Sequence, residues 1–402
     1  MRKSLIISAI FFLFGEAYAQ NGELQEVISA VDSLSVPVPV DNVDSVPVPK
    51  KGKVVATTLK DGTVYVGEMK GKRPHGVGKA IYKNGDKYEG EFVKGLRNGK
   101  GVYRFEDGEW YEGDFKAGRQ HGKGVYHFAD GKKYDGDWSN DYMHGYGRMD
   151  YPNGDFYVGS WVEDVRSGVG TYIFANGASY TGEWSSDTYS GVGTFIWTDN
   201  SKYIGDWLNG MRHGKGTYTT VSGDVYNGMW ANNMCEGVGK SVSSDGNIYE
   251  GSFLQGKWHG KGKYTAKNGS SYDGMFVDGM RHGYGRMVFS NGAVYEGEWV
   301  DNVRSGKGRY KWANGDEYEG DWKNDMPDGE GLLTMADGTR YKGGFSKGME
   351  EGKGVMLSPE GIRFEGTFKQ GKKHGPFVET DKEGKVVRQG VYKFGTLDVS
   401  QK

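Results

Sequence analysis

The chain has 402 residues, with 51 basic and 53 acidic side chains and a formal net charge of −2. This near-balance excludes a strongly basic chain, so nothing in the composition indicates bulk nucleic-acid binding. Its 69 glycines are more than twice the usual frequency. They recur at fixed intervals instead of clustering in linkers, so the composition predicts a repeat architecture in place of separate globular domains.

The first residues match a secretory signal peptide, which we predict over residues 1–19. Arg2 and Lys3 precede an apolar run that ends at Phe14, and Ala17 and Ala19 provide a small-residue cleavage site. The run is too short to span a bilayer as a helix, and no later stretch is long and apolar enough. We therefore expect an exported protein, periplasmic or extracellular, and leave open a peripheral contact with a membrane.

Residues 20–52 contain two Val-Pro-Val-Pro runs and are poor in aromatic residues. Alternating prolines fix φ and remove hydrogen-bond donors, which favours a flexible or extended linker over packed structure. Residues 53–64 are predicted to form a lone first strand or cap.

From residue 65 the sequence repeats every 23 residues without insertion. A tyrosine, replaced once by phenylalanine, begins each of the fourteen copies: Tyr65, Tyr88, Tyr111, Tyr134, Tyr157, Tyr180, Tyr203, Tyr226, Tyr249, Tyr272, Tyr295, Tyr318, Tyr341 and Phe364. Short units of constant length cannot bury an apolar face alone and must stack on their neighbours. We predict an array over 65–386, followed by a degenerate cap over 387–402.

Each copy is numbered here from its leading tyrosine as position 1. Glycine then recurs at positions 3, 12 and 14, and aromatic residues recur at positions 5, 16 and 18. Alternation with period two predicts two strands per copy, at positions 1–5 and 12–18. The fold class is therefore all-β: an elongated, single-layer, twisted antiparallel sheet of β-hairpin repeats.

The turns follow from the same pattern. Asn-Gly or Asp-Gly at positions 20 and 21 is typical of a two-residue turn, but that register would place the aromatic residues on opposite faces. A three-residue loop, with glycine in the left-handed region at position 21, places them all on one face. Glycine, asparagine or aspartate at position 8 predicts the second turn.

The pattern predicts two different faces. The aromatic face carries positions 1, 3, 5, 12, 14, 16 and 18, with glycines leaving room for rings to lie over bare backbone. The charged face carries positions 2 and 4, which are mostly acidic, and positions 13 and 15, which are often basic. Opposite charges on adjacent strands are expected to pair across the sheet.

The pattern Tyr-x-Gly-x-(Trp/Phe) followed by Gly-x-Gly-x-(aromatic), as in Tyr203 to Trp207 and Gly214 to Tyr218, resembles the MORN repeat, the membrane occupation and recognition nexus. The resemblance covers about four-fifths of the chain. It implies a twisted antiparallel sheet used as a scaffold, a dimerisation element or a contact with membrane phospholipid. Met69, Phe364 and the Pro376-Phe377 pair depart from the pattern, and the last indicates that the array is ending.

Two sets of residues are candidates for ligand binding. The first is a row of tryptophans on the aromatic face: Trp138, Trp161, Trp184, Trp207 and Trp230. The second is a row of arginines at position 10, predicted to lie along the loop edge: Arg97, Arg166, Arg212, Arg281 and Arg304. The tryptophans could line a groove or be consumed by packing, and the arginines could meet anionic headgroups or remain solvated.

Other motifs predict no chemistry. Seven histidines recur at position 11, but neighbouring copies lie about 10 Å apart, too far to share a metal ion. Cys235 cannot form an intramolecular disulfide and is interpreted as a free loop thiol, with an intermolecular disulfide as the alternative. Phosphate-loop, dinucleotide-binding and nucleophile motifs are incomplete, so we expect neither catalysis nor a cofactor.

Two functional hypotheses remain. The first is a non-catalytic exported scaffold whose repeats bind protein, including copies of itself. The second is an envelope-contact module that binds anionic phospholipid headgroups or glycan through the arginines or the aromatic face.

Overall fold

The computed structural model describes residues 54–398, in which 31 β-strands form one antiparallel sheet. Each strand pairs with the strand before it and the strand after it in the chain. The predicted all-β hairpin array is therefore confirmed. Residues 54–398 contain no helix with the length and hydropathy of a membrane span. The predicted signal peptide, linker and last residues of the C-terminal cap lie outside the described residues.

Every repeat contributes two strands. The first strand runs from the residue before the tyrosine to position 6: β2 (Val64–Lys70), β4 (Lys87–Val93), β6 (Trp110–Lys116), β8 (Lys133–Ser139), β10 (Phe156–Val162), β12 (Ser179–Ser185), β14 (Lys202–Leu208), β16 (Val225–Ala231), β18 (Ile248–Leu254), β20 (Ser271–Val277), β22 (Val294–Val300), β24 (Glu317–Lys323), β26 (Arg340–Ser346) and β28 (Arg363–Lys369).

The second strand covers positions 9–17, so it begins three residues earlier than the sequence predicted: β3 (Arg73–Ile81), β5 (Leu96–Arg104), β7 (Arg119–His127), β9 (Tyr142–Asp150), β11 (Val165–Ile173), β13 (Thr188–Ile196), β15 (Met211–Thr219), β17 (Met234–Val242), β19 (Lys257–Thr265), β21 (Met280–Val288), β23 (Val303–Lys311), β25 (Met326–Thr334), β27 (Met349–Leu357) and β29 (Lys372–Thr380). Before the array lies β1 (Val54–Thr58), and after it lie β30 (Val386–Lys393) and β31 (Thr396–Leu397).

The loop between repeats has the predicted three residues. Tyr103 at position 16 pairs with Tyr111 at position 1 of the next copy, and Gly108 has the expected positive φ of 96°. The Phe105 N–H donates to the Glu109 carbonyl at 2.9 Å and so closes the loop. This register keeps positions 1, 5, 16 and 18 on one face, as predicted.

The turn within each repeat has only two residues, at positions 7 and 8. Both have positive φ in every repeat but the first, for example 52° at Lys94 and 92° at Gly95. The left-handed residue predicted at position 8 is confirmed, including at Asp141 and Asn233. Because the turn is this short, positions 9 to 11 join the second strand, and position 10 comes to lie opposite position 5.

A β-bulge interrupts the pairing inside every hairpin. Gly90 pairs with Gly101, but Phe92 pairs with Arg97, so three residues of the second strand lie opposite one residue of the first. Gly99 at position 12 has a φ of 88°, and a Cβ atom placed there would meet the Glu91 carboxylate of the charged face. The assignment of position 12 to the aromatic face was therefore wrong, because the bulge turns that residue over.

The acid at position 4 stabilises this bulge. Glu91 Oε1 accepts the Lys100 N–H at 3.0 Å, and Asp206 Oδ2 accepts the Lys215 N–H at 2.8 Å. The exposed bulge amide would otherwise lack a protein partner.

The core of the sheet is a row of tyrosine rings that lie on glycine. A Cβ atom on Gly78 would be 2.3 Å from the Tyr65 hydroxyl oxygen, which explains why positions 3 and 14 carry no side chain. The Tyr65 hydroxyl donates to the Glu68 carbonyl at 2.7 Å, and the equivalent bond forms in the other repeats that begin with tyrosine. The predicted packing of rings over bare backbone is confirmed.

Aromatic residues at position 5 join the tyrosines into one continuous column. Tyr134 makes an edge-to-face contact with Trp138 of its own repeat, at 5.3 Å between ring centroids, and with Trp161 of the next repeat, at 5.4 Å. Such pairs contribute about 0.5–1.5 kcal/mol each beyond their buried area. The column therefore couples every repeat to the next.

The opposite face carries the predicted cross-strand ion pairs. Lys100 Nζ lies 2.8 Å from Asp114 Oδ1, and the same pairing joins Lys307 to Asp321 at 2.6 Å. The lysine side chains are mostly exposed, so each pair is worth only tenths of a kcal/mol to about 1 kcal/mol. This face keeps the sheet solvated and does little to hold it together.

Candidate functional site

The candidate tryptophans lie at position 5 and are buried: Trp138, Trp161, Trp184, Trp207 and Trp230. Each indole N–H donates to the carbonyl of the position 14 glycine in the preceding repeat, as Trp184 does to Gly170 at 3.1 Å. Tyrosine rings meet them edge to face on both sides. These rings are used in packing and do not line an open groove.

The candidate arginines lie within strands on the aromatic face, so the expectation of a loop edge was wrong. Arg166 belongs to β11 and pairs with Trp161. Its guanidinium carbon lies 4.5 Å from the Trp184 ring centroid of the next repeat. The same stacking places Arg212 over Trp230 at 4.4 Å, Arg281 over Trp299 at 4.3 Å and Arg304 over Trp322 at 4.6 Å.

The stacked guanidinium groups are also hydrogen bonded. Arg166 Nε donates to Asp187 Oδ1 at 2.8 Å and its Nη2 donates to the Asp187 carbonyl at 3.0 Å. Asp187 occupies position 8 of the next repeat, and Arg304 repeats the arrangement on Asp325. Burial lowers the pKa of Arg212 and Arg281 from its ordinary value, as expected for guanidinium groups partly removed from water.

Arg97 shows a variant of the same contact. Its guanidinium donates to the Gly118 carbonyl through Nε at 3.1 Å and Nη2 at 2.5 Å. The guanidinium carbon lies 5.3 Å from the Phe115 ring centroid and 4.3 Å from that of Tyr103. All five arginines therefore bridge one repeat to the next.

The structure brings together only part of the two predicted rows. A candidate arginine of the preceding repeat stacks on Trp184 and on Trp230. For Trp138, Trp161 and Trp207, position 10 of the preceding repeat is not an arginine. For Trp207 that residue is Tyr189, with ring centroids 5.7 Å apart. Conversely, Arg281 and Arg304 stack on Trp299 and Trp322, which are not among the five candidate tryptophans. Position 10 lies opposite position 5 of its own copy and stacks on position 5 of the next copy, which could be predicted only with the length of the short turn known.

The sequence placed the rings at positions 16 and 18 on the aromatic face, but it did not identify them as the more accessible aromatic row. Rings at positions 16 and 18, half-buried except for the buried Tyr103, cross the strands from one repeat to the next and are named here the aromatic ladder: Tyr82, Tyr103, Phe105, Tyr126, Phe128, Tyr151, Tyr172, Phe174, Phe195, Trp197 and Tyr218. Tyr103 and Phe105 have ring centroids 4.7 Å apart, and Phe105 and Tyr126 have centroids 5.7 Å apart. In the sequence, this row is indicated by aromatic residues that recur at positions 16 and 18 of successive repeats.

Acids at position 22 fix the tyrosines of the aromatic ladder. The Tyr103 hydroxyl donates to Asp86 Oδ2 at 2.6 Å, and the Tyr172 hydroxyl donates to Asp155 Oδ2 at 2.7 Å. Burial, assisted by the bond to Asp86, raises the pKa of Tyr103 to about 12. The other oxygen of each acid accepts a backbone N–H from the following loop, at Glu106 and Ala175.

Cys235 and the histidines also differ from their sequence interpretation in detail. Cys235 lies in β17 opposite Trp230, not in a loop, and burial raises the pKa of its thiol. His75, His121 and His213 each bury an Nδ1 atom without a hydrogen-bond partner, so they pack and do not bond there. Within residues 54–398 no three acidic, histidine or cysteine side chains cluster as metal ligands would.

A family model described as the MORN repeat matches the chain in fourteen consecutive segments. These are residues 65–87, 88–110, 111–133, 134–156, 157–179, 180–202, 203–225, 226–248, 249–271, 272–294, 295–317, 318–340, 341–363 and 364–376. The segments begin at the leading tyrosines and at Phe364, so the sequence period and the family pattern coincide. No curated protein matches this chain.

Solved structures give only distant likenesses. The SAS-4 (dCPAP) TCP domain of Drosophila melanogaster, in complex with a proline-rich motif of Ana2, is 16% identical, with 39% of this chain and 85% of that chain covered and a TM-score of 0.25. PorZ, a surface component of the type-IX secretion system of Porphyromonas gingivalis, is 8% identical, with coverages of 83% and 80% and a TM-score of 0.15. Scores this low do not establish a shared fold.

Proposed function

Because this chain belongs to the MORN-repeat family, we propose that it is a non-catalytic exported scaffold whose repeats bind protein, including copies of itself. The repeat scaffold itself follows from the fourteen matched units and the continuous sheet. Export rests on the signal-peptide pattern of residues 1–19. Protein binding rests on the surface that the packing leaves available.

The observation that carries the proposal is the aromatic ladder. Its rings, except Tyr103, are half-buried and follow one another across many strands, whereas the candidate tryptophans at position 5 are buried. Tyrosine, tryptophan and phenylalanine are enriched at protein interfaces, where they supply contact area at low entropic cost. A continuous strip of such rings provides an extended binding surface for a polypeptide.

The same geometry weakens the alternative of anionic lipid binding through the candidate arginines. Arg166 and Arg304 are largely covered and already donate to Asp187 and Asp325. A lipid headgroup would have to displace both the carboxylate and the ring beneath the guanidinium. The family's membrane association therefore lacks support from these arginines.

The carboxylates likewise serve structural roles. Glu91 and Asp206 accept bulge amides, Asp114 and Asp321 pair with lysines, and Asp86 holds a tyrosine hydroxyl. These engagements support a scaffold without catalytic carboxylates.

Photocrosslinking on the full-length protein tests the proposal. A benzophenone amino acid replaces Phe174 in the aromatic ladder, and the matched control replaces Val169, which is 48% exposed on the charged face. We expect protein adducts from the Phe174 site in the native envelope and few from the Val169 site. Equal adducts from both sites, or none from Phe174, would refute protein binding through this face.

Two further measurements separate the alternatives. Sedimentation equilibrium of the purified protein over a range of concentrations shows whether the crosslinked partner is a second copy. Co-sedimentation with anionic vesicles at low and high salt tests the lipid alternative, for which binding must weaken with salt. Salt-sensitive binding to vesicles without protein crosslinks would favour the envelope-contact hypothesis.

A further inference from the structure

The aromatic ladder is interrupted in the middle of the array. Three successive positions that carry rings in many other repeats hold small residues: Thr220, Ser241 and Ser243. Rings resume at Tyr264 in the next repeat, so the interruption has aromatic walls on both sides. Between these walls lies a cavity of about 350 Å³.

The cavity occupies the place of a missing tyrosine. In an intact repeat the Tyr103 ring contacts position 18 of the preceding repeat, position 18 of its own repeat and the leading tyrosine, at Tyr82, Phe105 and Tyr88. The corresponding residues around Ser241 are Thr220, Ser243 and Tyr226. All three line the cavity.

The acid that would hold the missing hydroxyl is present and correctly placed. Asp224 is the counterpart of Asp86 and Asp155, and it lines the cavity. Its Oδ1 accepts the Ser244 N–H at 2.7 Å, as Asp155 Oδ1 accepts the Ala175 N–H at 2.7 Å. Its Oδ2, the counterpart of the oxygen that accepts a tyrosine hydroxyl elsewhere, accepts the Ser222 hydroxyl at 2.8 Å and the Thr220 hydroxyl at 3.4 Å, and neither bond comes from an aromatic ring.

The cavity walls suit a flat ring. Tyr218 and Tyr264 flank it along the aromatic ladder, and Trp258 closes one side while stacking on Tyr249 at 4.3 Å between centroids. Its volume falls in the range of about 300–1,000 Å³ typical of small-molecule sites, which are mostly apolar with a few placed polar groups.

We infer that this cavity binds a phenol ring, supplied by a tyrosine side chain of a partner polypeptide, whose hydroxyl donates to the Asp224 carboxylate. The partner's ring replaces the one that Ser241 removes from the aromatic ladder. This inference rests on the proposed protein-binding function and adds an anchoring position to it. A buried tyrosine is among the residues that most often dominate the energetics of an interface.

The first test titrates N-acetyl-L-tyrosinamide into the full-length protein and follows binding by saturation-transfer NMR. The Ser241→Tyr variant restores the ring within the chain, so we expect it to bind the probe at least about tenfold more weakly than the wild type. The matched control, Met356→Tyr, introduces the same residue at position 16 of a distant repeat and keeps wild-type binding. Equal binding by the wild type and Ser241→Tyr overturns the inference.

The second test concerns the hydroxyl. N-acetyl-L-phenylalaninamide is expected to bind the wild type several-fold more weakly than the tyrosine probe, and Asp224→Ala is expected to remove that preference. No preference in the wild type contradicts the role of Asp224. Binding of p-cresol without binding of the tyrosine probe, or binding of an N-acetylglucosamine oligomer in place of both, overturns the assignment to a partner's tyrosine.

The thermal midpoint of Ser241→Tyr provides an internal check, because a ring that fits the cavity should stabilise the protein, whereas a ring that cannot enter should not. A lower midpoint than the wild type overturns the view that the cavity is tyrosine-shaped. The crosslinking site at Phe174 lies three repeats away, so failure of the phenol probe and failure of protein binding are distinguishable.

Discussion

The ring of Tyr203 lies directly on the backbone of Gly216, so that a Cβ atom on Gly216 would be 2.2 Å from the tyrosine hydroxyl oxygen. That hydroxyl also donates to the Asp206 carbonyl at 3.0 Å. The ring is held between a bare strand and its own hydrogen bond. Neither residue can change without the other.

Replacement of Gly216 by alanine should therefore displace the Tyr203 ring and lower the local free energy of unfolding by about 3 kcal/mol, near the upper end for overpacking. Gly256→Ala is the control, because Gly256 has a φ of 82° but no atoms near the added Cβ. At that position alanine should lower the free energy of unfolding only through backbone strain, by roughly 1–2 kcal/mol. Hydrogen exchange of β14 to β16 for the Gly216 variant, and of β18 and β19 for the Gly256 variant, measures the two local losses, and equal losses would contradict the role of close packing.

The stacking of Arg304 on Trp322 gives the second prediction. Arg304→Ala should lower the free energy of unfolding by about 2 kcal/mol, because it removes the ring contact and the bonds to Asp325. Arg304→Lys should lose more than half of that free energy, since an ammonium group cannot reproduce the planar, forked hydrogen bonding of a guanidinium group.

The control is Arg309→Lys, since Arg309 is exposed on the charged face and pairs with Glu317. This substitution should change the free energy of unfolding by no more than about 0.5 kcal/mol. Urea denaturation followed by circular dichroism reports all three variants. Full rescue by lysine at position 304 would show that charge alone accounts for the contact.

Alkaline pH should unfold the array cooperatively. Burial raises the pKa of Tyr65, Tyr249 and Tyr272 from 10.0 to about 12. Between these values the unfolded chain releases protons that the folded chain retains, so this stabilisation is complete below pH 10 and is lost as pH rises towards 12. Urea midpoints measured from neutral to alkaline pH should fall across this window together with the appearance of tyrosinate absorbance. A constant midpoint would contradict the burial of these hydroxyls.

The bulge acid is the subject of the fourth prediction. Asp206→Ala removes the acceptor of the Lys215 N–H and should lower the free energy of unfolding by about 1–2 kcal/mol. Asp273→Ala, on the same face but at position 2, should cost less than about 0.5 kcal/mol, as expected for an exposed surface site. Amide exchange at Lys215 should accelerate only in the first variant.

The sequence predicted most of the fold because its signals are local and repeated. The tyrosine and glycine period defined the repeat, and the parity of the aromatic positions distinguished a three-residue loop from a two-residue turn, as Tyr103 and Tyr111 show. The bulge could not be predicted in this way. Glycine at position 12 is compatible with extended and left-handed backbone alike, and only the hydrogen bond to the acid at position 4 selects between them.

The candidate site was harder to predict for a related reason. Arg166 was expected in a loop because the length of the turn before it was unknown, and one short turn decides which face it occupies. The loss of rings at Ser241 and Ser243 is visible in the sequence as an interruption of the period. The suitability of the cavity there for a phenol depends on Asp224 keeping the pose of its counterparts, which no sequence pattern conveys.

The contacts between repeats extend only to the neighbouring repeat, and this determines how the protein can change in length. Arg166 contacts Trp184 and Asp187, and Tyr172 contacts Asp155, so the contacts join a repeat to its immediate neighbours. Duplication or deletion of one 23-residue unit would leave contacts between neighbouring repeats only and change the span by about 10 Å. The length of the array can therefore change in steps of one repeat while the width of the sheet stays the same.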